Sequence, residues 1–238
     1  TVDELPTTIR QAFRESTTGT PGPSHIDITG VTGEIITKEA NLEVIAEAQY
    51  MQIPSYRPEP DSNSIKNAIN LLIKAKKPVI IAGGGANISG ARKELINIAE
   101  KLNIPVATSL NAKEIFPYDH PLAVGIPGSY SRSCANKIVA ESDLVFFIGS
   151  HTGSQITNNW RLPRKGTTII QLDINPAELG RSFPIKIGLM GDVKATLSKI
   201  LNNIPQKKEI HTDWIKRIQN LVNEWKNEVG PLLKSDTI

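Results

Sequence analysis

Lys77-Pro78-Val79-Ile80-Ile81-Ala82-Gly83-Gly84-Gly85 is the stretch that decides the fold. Its apolar run is too short for a helix and shows no alternation. Such a run reads as a strand buried on both faces, the habit of parallel sheets. A glycine run directly behind it marks a strand-to-helix turn. Ala91, Leu95, Ile98, Ala99 and Leu102 then recur at helical spacing, and Pro105-Val106-Ala107-Thr108-Ser109 is a second strand.

The same alternation continues downstream. A long loop, Leu110 to Ser133, carries turn signals at Pro117, Pro121, Gly125 and Pro127-Gly128. A helix over 135–142 leads to the strand Leu144-Val145-Phe146-Phe147-Ile148, and the loop 149–166 leads to Thr168-Ile169-Ile170-Gln171-Leu172. Ile185–Leu189 is a shorter strand, Val193–Leu201 a helix, and Trp214–Val229 a final helix with Ile215, Ile218, Leu221, Val222 and Trp225 on one face. Strands alternating with helices predict an α/β fold, a doubly wound parallel sheet with helices on both faces, three-layered and Rossmann-like.

Upstream, Ile65, Ala68, Ile69, Leu72 and Ile73 mark an amphipathic helix. Before it, 29–62 has no sustained period and ends in Pro54, Pro58 and Pro60, the composition of a stiff linker. Further back, Ile9, Ala12 and Phe13 sit at helical spacing, and His25-Ile26-Asp27-Ile28 alternates as a short strand does. The expected division is therefore 1–29 as the tail of a preceding domain and 30–62 as a linker. Residues 63–204 form the central α/β domain, and 205–238 a C-terminal helix leading onward.

Composition narrows the function classes. A net charge of +3 with scattered basic residues favours a solvated surface over a nucleic-acid partner. The single cysteine, Cys134, excludes an intrachain disulfide framework or a thiolate metal site. No apolar stretch approaches a membrane span, and the polar first residues are unlike a signal peptide, so a cytoplasmic location is the expectation.

Candidate chemistry centres on strand ends. Glycines at 83–85 would let backbone N–H groups approach a phosphate; the plain alternative is a tight turn. The dinucleotide fingerprint fails because Ile88 holds its last glycine position, and the P-loop fails because Ala91-Arg92 follow Gly90. Asp173-Ile174 closes the fourth strand, where a carboxylate could meet ribose hydroxyls or cap the next turn. Gly191-Asp192 begins like a Gly-Asp-Gly magnesium-diphosphate motif, but Val193 replaces the second glycine. Asp192 is more simply the N-cap of the helix that follows.

Six segments in order resemble thiamine-diphosphate-dependent enzymes. They are Gly22–Ile28, Lys77–Gly85, Ile104–Lys113 with Phe116–Pro121, Ser142–Gly149, Ile170–Gly180 and Gly191-Asp192. Within that family the order looks most like the acetolactate synthase (acetohydroxyacid synthase) large-subunit group.

The resemblance implies a three-domain parent enzyme acting on 2-keto acids, a transferase or lyase that assembles as a homo-oligomer (dimer or tetramer). It implies thiamine diphosphate and Mg²⁺ in the parent, held by the flanking domains and not by this chain. The central domain of the family binds FAD in some members, ADP in others and nothing in several. Positions matching cofactor contacts are Arg10, Gly83, Gly84, Gly85, Ser109, Leu110, Asp173, Ile174 and Asp192. Two segments depart from the synthase pattern: His151 and Gly153 stand where it has Arg and Asp, and Gly128-Ser129-Tyr130-Ser131 replaces Gly-Met-His-Gly. The expected ligand is an adenine nucleotide across the carboxyl edge of the sheet, bound weakly or not at all by the chain alone. The alternatives are a stand-alone adenine-nucleotide or FAD-binding module, or a domain of a related decarboxylase such as benzoylformate or oxalyl-CoA decarboxylase.

Overall fold

The computed structural model describes residues 2–27, 43–205 and 210–233. The chain divides into two compact units, residues 1–57 and 58–238.

The first unit is built on helix α1 (Leu5–Thr17), with Pro6 in its first turn, where a missing N–H costs nothing. Arg10 pairs with Glu47 at 2.9 Å, and Arg14 donates to the Tyr50 hydroxyl at 2.7 Å. Ser55 Oγ donates to the Thr17 carbonyl at 2.9 Å, so the end of this unit is tied back to α1. Few of its side chains are buried, and Ile9, Phe13, Val44, Ile45, Met51 and Ile53 are exposed. The strand expected over His25–Ile28 does not form across His25–Asp27, which carry no sheet pairing; Ile28 lies outside the described residues. An alternating triplet without a neighbouring strand has no ladder to join. Of the segment expected to be a linker, 30–42 lies outside the described residues. Tyr50 and Ser55 are buried, and the boundary between units falls after Arg57.

The second unit opens with α2 (Ser62–Lys74), whose N-cap Asp61 accepts from the N–H groups of Asn63 and Ser64. Strand β1 (Pro78–Ala82) is buried at every position. Then follow α3 (Gly84–Ile88), α4 (Arg92–Leu102), β2 (Val106–Thr108), β3 (Ala123–Gly125), α5 (Ser133–Glu141) and β4 (Leu144–Ile148). The chain continues through β5 (Thr168–Asp173), β6 (Ile187–Met190), α6 (Val193–Asn203) and α7 (Thr212–Leu233). All six strands are parallel in the order β3-β2-β1-β4-β5-β6. The doubly wound expectation holds, with a sixth strand, β3, added at the edge.

The order reverses at β1, which pairs β2 on one side and β4 on the other. Right-handed crossovers in opposite directions put α4 and α5 on opposite faces. α6 packs against α2 and α4, and α5 against α7. The core is continuous through Ile80, Ile81, Phe146, Phe147, Leu95, Ile98 and Ile138, all essentially inaccessible. Trp214 of α7 belongs to it: 3% exposed, its indole N–H donates to the Pro78 carbonyl at 2.9 Å. Among the described residues no helix is long and apolar enough to cross a membrane.

Candidate functional site

The reversal of strand order leaves a crevice beyond the carboxyl ends of β1 and β4, the general ligand position of open α/β sheets. A cavity of about 520 Å³ sits there, within the range of small-molecule sites. Its walls come from Gly83–Gly85, Asn87 and Ile88 after β1, Ser109–Asn111 after β2, Gly149–Ile156 after β4, and Ile126, Pro127 and Tyr130 from the long loop.

The glycine run owes its composition mostly to backbone packing. A Cβ on Gly83 would lie 2.3 Å from the Gly149 carbonyl oxygen, and one on Gly85 3.0 Å from the Gly149 Cα. Gly149 itself has φ +55°, and its Cβ would come within 2.6 Å of the Ala86 nitrogen. The turns after β1 and β4 are thus pressed together backbone to backbone. The Gly83 N–H donates to the Ile148 carbonyl at 2.8 Å and the Gly85 N–H to the Gly149 carbonyl at 3.0 Å. The phosphate cradle expected of three N–H groups therefore narrows to Gly84, because the other two are already bonded. A Cβ on Gly84 would meet only Asn111, its Cβ at an ordinary 3.5 Å and its carbonyl oxygen at 3.9 Å.

The wall mixes apolar surface with hydrogen-bonding groups and is nearly uncharged. Ser109, Asn111, Ser150, Thr152, Ser154 and Gln155 supply hydrogen-bonding groups, and His151 and Tyr130 are the titratable side chains among the lining residues. Thr152 is 2% exposed, holds φ +49° and leaves Oγ1 buried without a partner. A β-branched residue in the left-handed region is strained, and an unsatisfied buried hydroxyl adds to the cost; such features collect at functional sites.

Beyond His151 lies an ionic cluster. Glu178 Oε2 is 3.2 Å from His151 Nδ1 and 3.0 Å from Arg181 Nη2, and Arg181 also donates to the His151 carbonyl. Asp173, 6% exposed at the end of β5, accepts from the Asn175 N–H at 2.9 Å. Burial pushes its carboxyl above the usual carboxylate range, against the Asn175 bond and the charge of His151.

The structure brings Gly83, Gly84, Gly85, Ser109 and Leu110 together on the cavity wall. Asp173 and Ile174 stand at the end of β5, outside the lining. Asp192 is buried at the N-cap of α6: Oδ1 accepts from the Ala195 N–H and Oδ2 from the Ser89 hydroxyl at 2.7 Å. Arg10 lies in the first unit, paired with Glu47. Sequence reasoning missed the wall residues Asn111, Ser150, Thr152 and Ser154. Their signal was position alone, since each follows a strand that flanks the reversal point.

Among the described residues no group of three or more His, Cys, Asp or Glu could hold a metal ion. The Gly191-Asp192 pair does not fit Mg²⁺, because both carboxylate oxygens of Asp192 are engaged in the fold.

A family model described as the thiamine pyrophosphate enzyme central domain matches residues 65–200. A probable acetolactate synthase large subunit from Methanocaldococcus jannaschii is 37% identical over 223 residues, covering 92% of this chain and 37% of that protein. The acetolactate synthase large subunit of Corynebacterium glutamicum is 31% identical over 224 residues, covering 92% and 35%. Isozyme 3 of the Escherichia coli large subunit is 29% identical over 243 residues, covering 99% and 40%. The chain thus spans well under half the length of these relatives.

Proposed function

From the premise that this chain belongs to the thiamine pyrophosphate enzyme central-domain family, we propose that it works inside a larger enzyme of the acetolactate synthase type. That enzyme would decarboxylate a 2-keto acid and join the acyl unit to a second carbonyl compound, in the cytoplasm and as a homo-oligomer. Thiamine diphosphate, held with Mg²⁺ by other domains, supplies the carbanion chemistry when bound. This chain's residues take no direct part in that step. Their role is to carry those domains and to hold an adenine nucleotide in the crevice between β1 and β4.

The observation that carries the reading is the family match over residues 65–200, which contain all six strands of the sheet. The first unit supports it as well. Ile9 and Phe13 are 46% and 58% exposed on α1, surface that a stand-alone nucleotide module has no reason to carry.

The residues present fit the adenine half of a cofactor such as ADP or FAD. Gly84 would admit a phosphate, and Ser109, Leu110 and Asn111 would flank it. The seryl groups after β4 would meet hydroxyls or ring nitrogens. Arg10, Asp173, Ile174 and Asp192, matched by resemblance, stand away from the lining or in the other unit and are assigned no more than outer roles.

Calorimetry of the 238-residue chain with thiamine diphosphate and Mg²⁺ is expected to show no heat of binding. A dissociation constant in the micromolar range (an affinity near 8 kcal/mol, roughly) would overturn the division of labour proposed for this chain.

A further inference from the structure

Ile126, Pro127 and Tyr130 form one wall of the crevice, beside Gln155 and Ile156 of the loop after β4. The two segments are locked to each other. The Ser129 N–H donates to the Gln155 carbonyl at 2.8 Å, and a Cβ on Gly128 would overlap that same carbonyl. Asn136, in the first turn of α5, grips the middle of the wall. Its Oδ1 accepts from the Gly128 N–H at 2.7 Å, and its Nδ2 donates to the Gly128 carbonyl at 3.0 Å. Arg132, the N-cap residue of α5, closes the loop: its N–H donates to the Ile126 carbonyl at 3.0 Å. Its stem lies over Gly125, where a Cβ would come within 2.5 Å of the Arg132 Cδ.

The guanidinium of Arg132 reaches away from this loop. It stands over the Trp225 ring of α7, 4.6 Å from the ring centre, in the range of a cation–π contact. α7 runs antiparallel to α5, since Arg217 bonds Glu141 at the end of α5 and Trp225 meets Arg132 at its start. The beginning of α7 is fixed by Trp214, buried on β1. Beyond Trp225 none of the residues 226–232 is buried. Trp225 thus stands where the helix parts from the core, and the side chain it meets there is the one that closes the crevice wall.

We propose that Arg132 is a positioning residue of the crevice that takes its place from the Trp225 ring, so that the seating of α7 and binding in the crevice are linked. A helix seated through Trp225 holds Arg132 across Gly125 and keeps the wall against Gln155. A helix displaced at Trp225 releases the guanidinium, and the wall loses a contact that fixes it. The linkage runs both ways, so a ligand that favours the ordered wall also favours the seated helix. The binding half of the proposal rests on the nucleotide reading of the crevice; the structural half does not.

The test combines backbone amide NMR with ADP titration of the full chain. Trp225→Leu keeps an apolar side chain on the core and removes the ring face. Arg132→Met keeps the stem over Gly125 and removes the charge. Each is expected to move the amides of Gly128, Ser129 and Gln155 and to weaken ADP about fivefold, the effect of losing one cation–π contact. The double variant should weaken ADP no further than either single one, because both remove the same contact. Trp225→Phe, which keeps a ring, should preserve the wall resonances and most of the affinity. Wall amides unmoved by Trp225→Leu, or losses that add in the double variant, overturn the linkage while leaving the crevice reading intact. If ADP does not bind the unaltered chain, the crevice reading fails, and the wall amides alone decide whether α7 positions the wall.

Discussion

Gly83→Ala is expected to destabilise the second unit by about 3 kcal/mol or more, while Gly84→Ala leaves it unchanged or slightly more stable. The two glycines are neighbours with opposite surroundings. A methyl on Gly83 would meet the Gly149 carbonyl oxygen at 2.3 Å and the Ser150 Cα at 2.7 Å, all backbone that cannot rotate away. Relief would require parting the turns after β1 and β4, whose bonds Gly83 N–H to Ile148 and Gly85 N–H to Gly149 would go with it. A methyl on Gly84 reaches only ordinary contact with Asn111. Denaturant unfolding monitored by far-UV circular dichroism checks both. Equal stabilities for the two variants would mean that the turns are not pressed together as described.

Trp214→Ala is expected to cost about 3–5 kcal/mol and to lower Tm on the order of 10 °C. The indole is 3% exposed and its N–H bonds the Pro78 carbonyl at the first residue of β1, so truncation leaves both a cavity and an unpaired carbonyl beside the sheet. The Lys77 ammonium lies 5.7 Å from the ring centre. Further along α7, Arg217 bonds Glu141 of α5 and holds that carboxyl below its usual range. Trp214→Phe, which fills most of the volume but loses the bond, should fall between. A Tm within about 2 °C of the unaltered chain for Trp214→Ala, well short of the loss a buried Trp implies, would show that α7 is a lead-out helix and no part of the domain's core.

How much of this was legible follows from the physics of each element. β1 and β4 announce themselves because a strand buried on both faces is apolar throughout, as Val79–Ala82 and Leu144–Ile148 are. β3 was hidden: Ala123-Val124-Gly125 is three residues long, flanked by Pro121 and Pro127, and indistinguishable from loop without its partner β2. α3 was hidden for a like reason, since a five-residue helix opening on Gly84-Gly85 has no period to display. The helix-cap reading of Asp192 was available from its place before Val193, and its bond to the Ser89 hydroxyl adds the tertiary partner that spacing cannot reveal. The crevice could be located from strand order alone. Its wall could not, because Ser150, Thr152 and Asn111 carry no motif and become neighbours only when β4 and β2 flank β1.

The crevice beyond β1 and β4 is proposed to take an adenine nucleotide. Backbone amide NMR of the chain titrated with millimolar ADP tests it most directly. Saturable shifts are expected, concentrated at Gly84, Ser109, Asn111, Ser150 and Thr152 and lost in Gly84→Val, whose side chain would fill the approach to the one unbonded N–H of the glycine run. Shifts centred on another surface, or a spectrum unchanged by ADP, would contradict it.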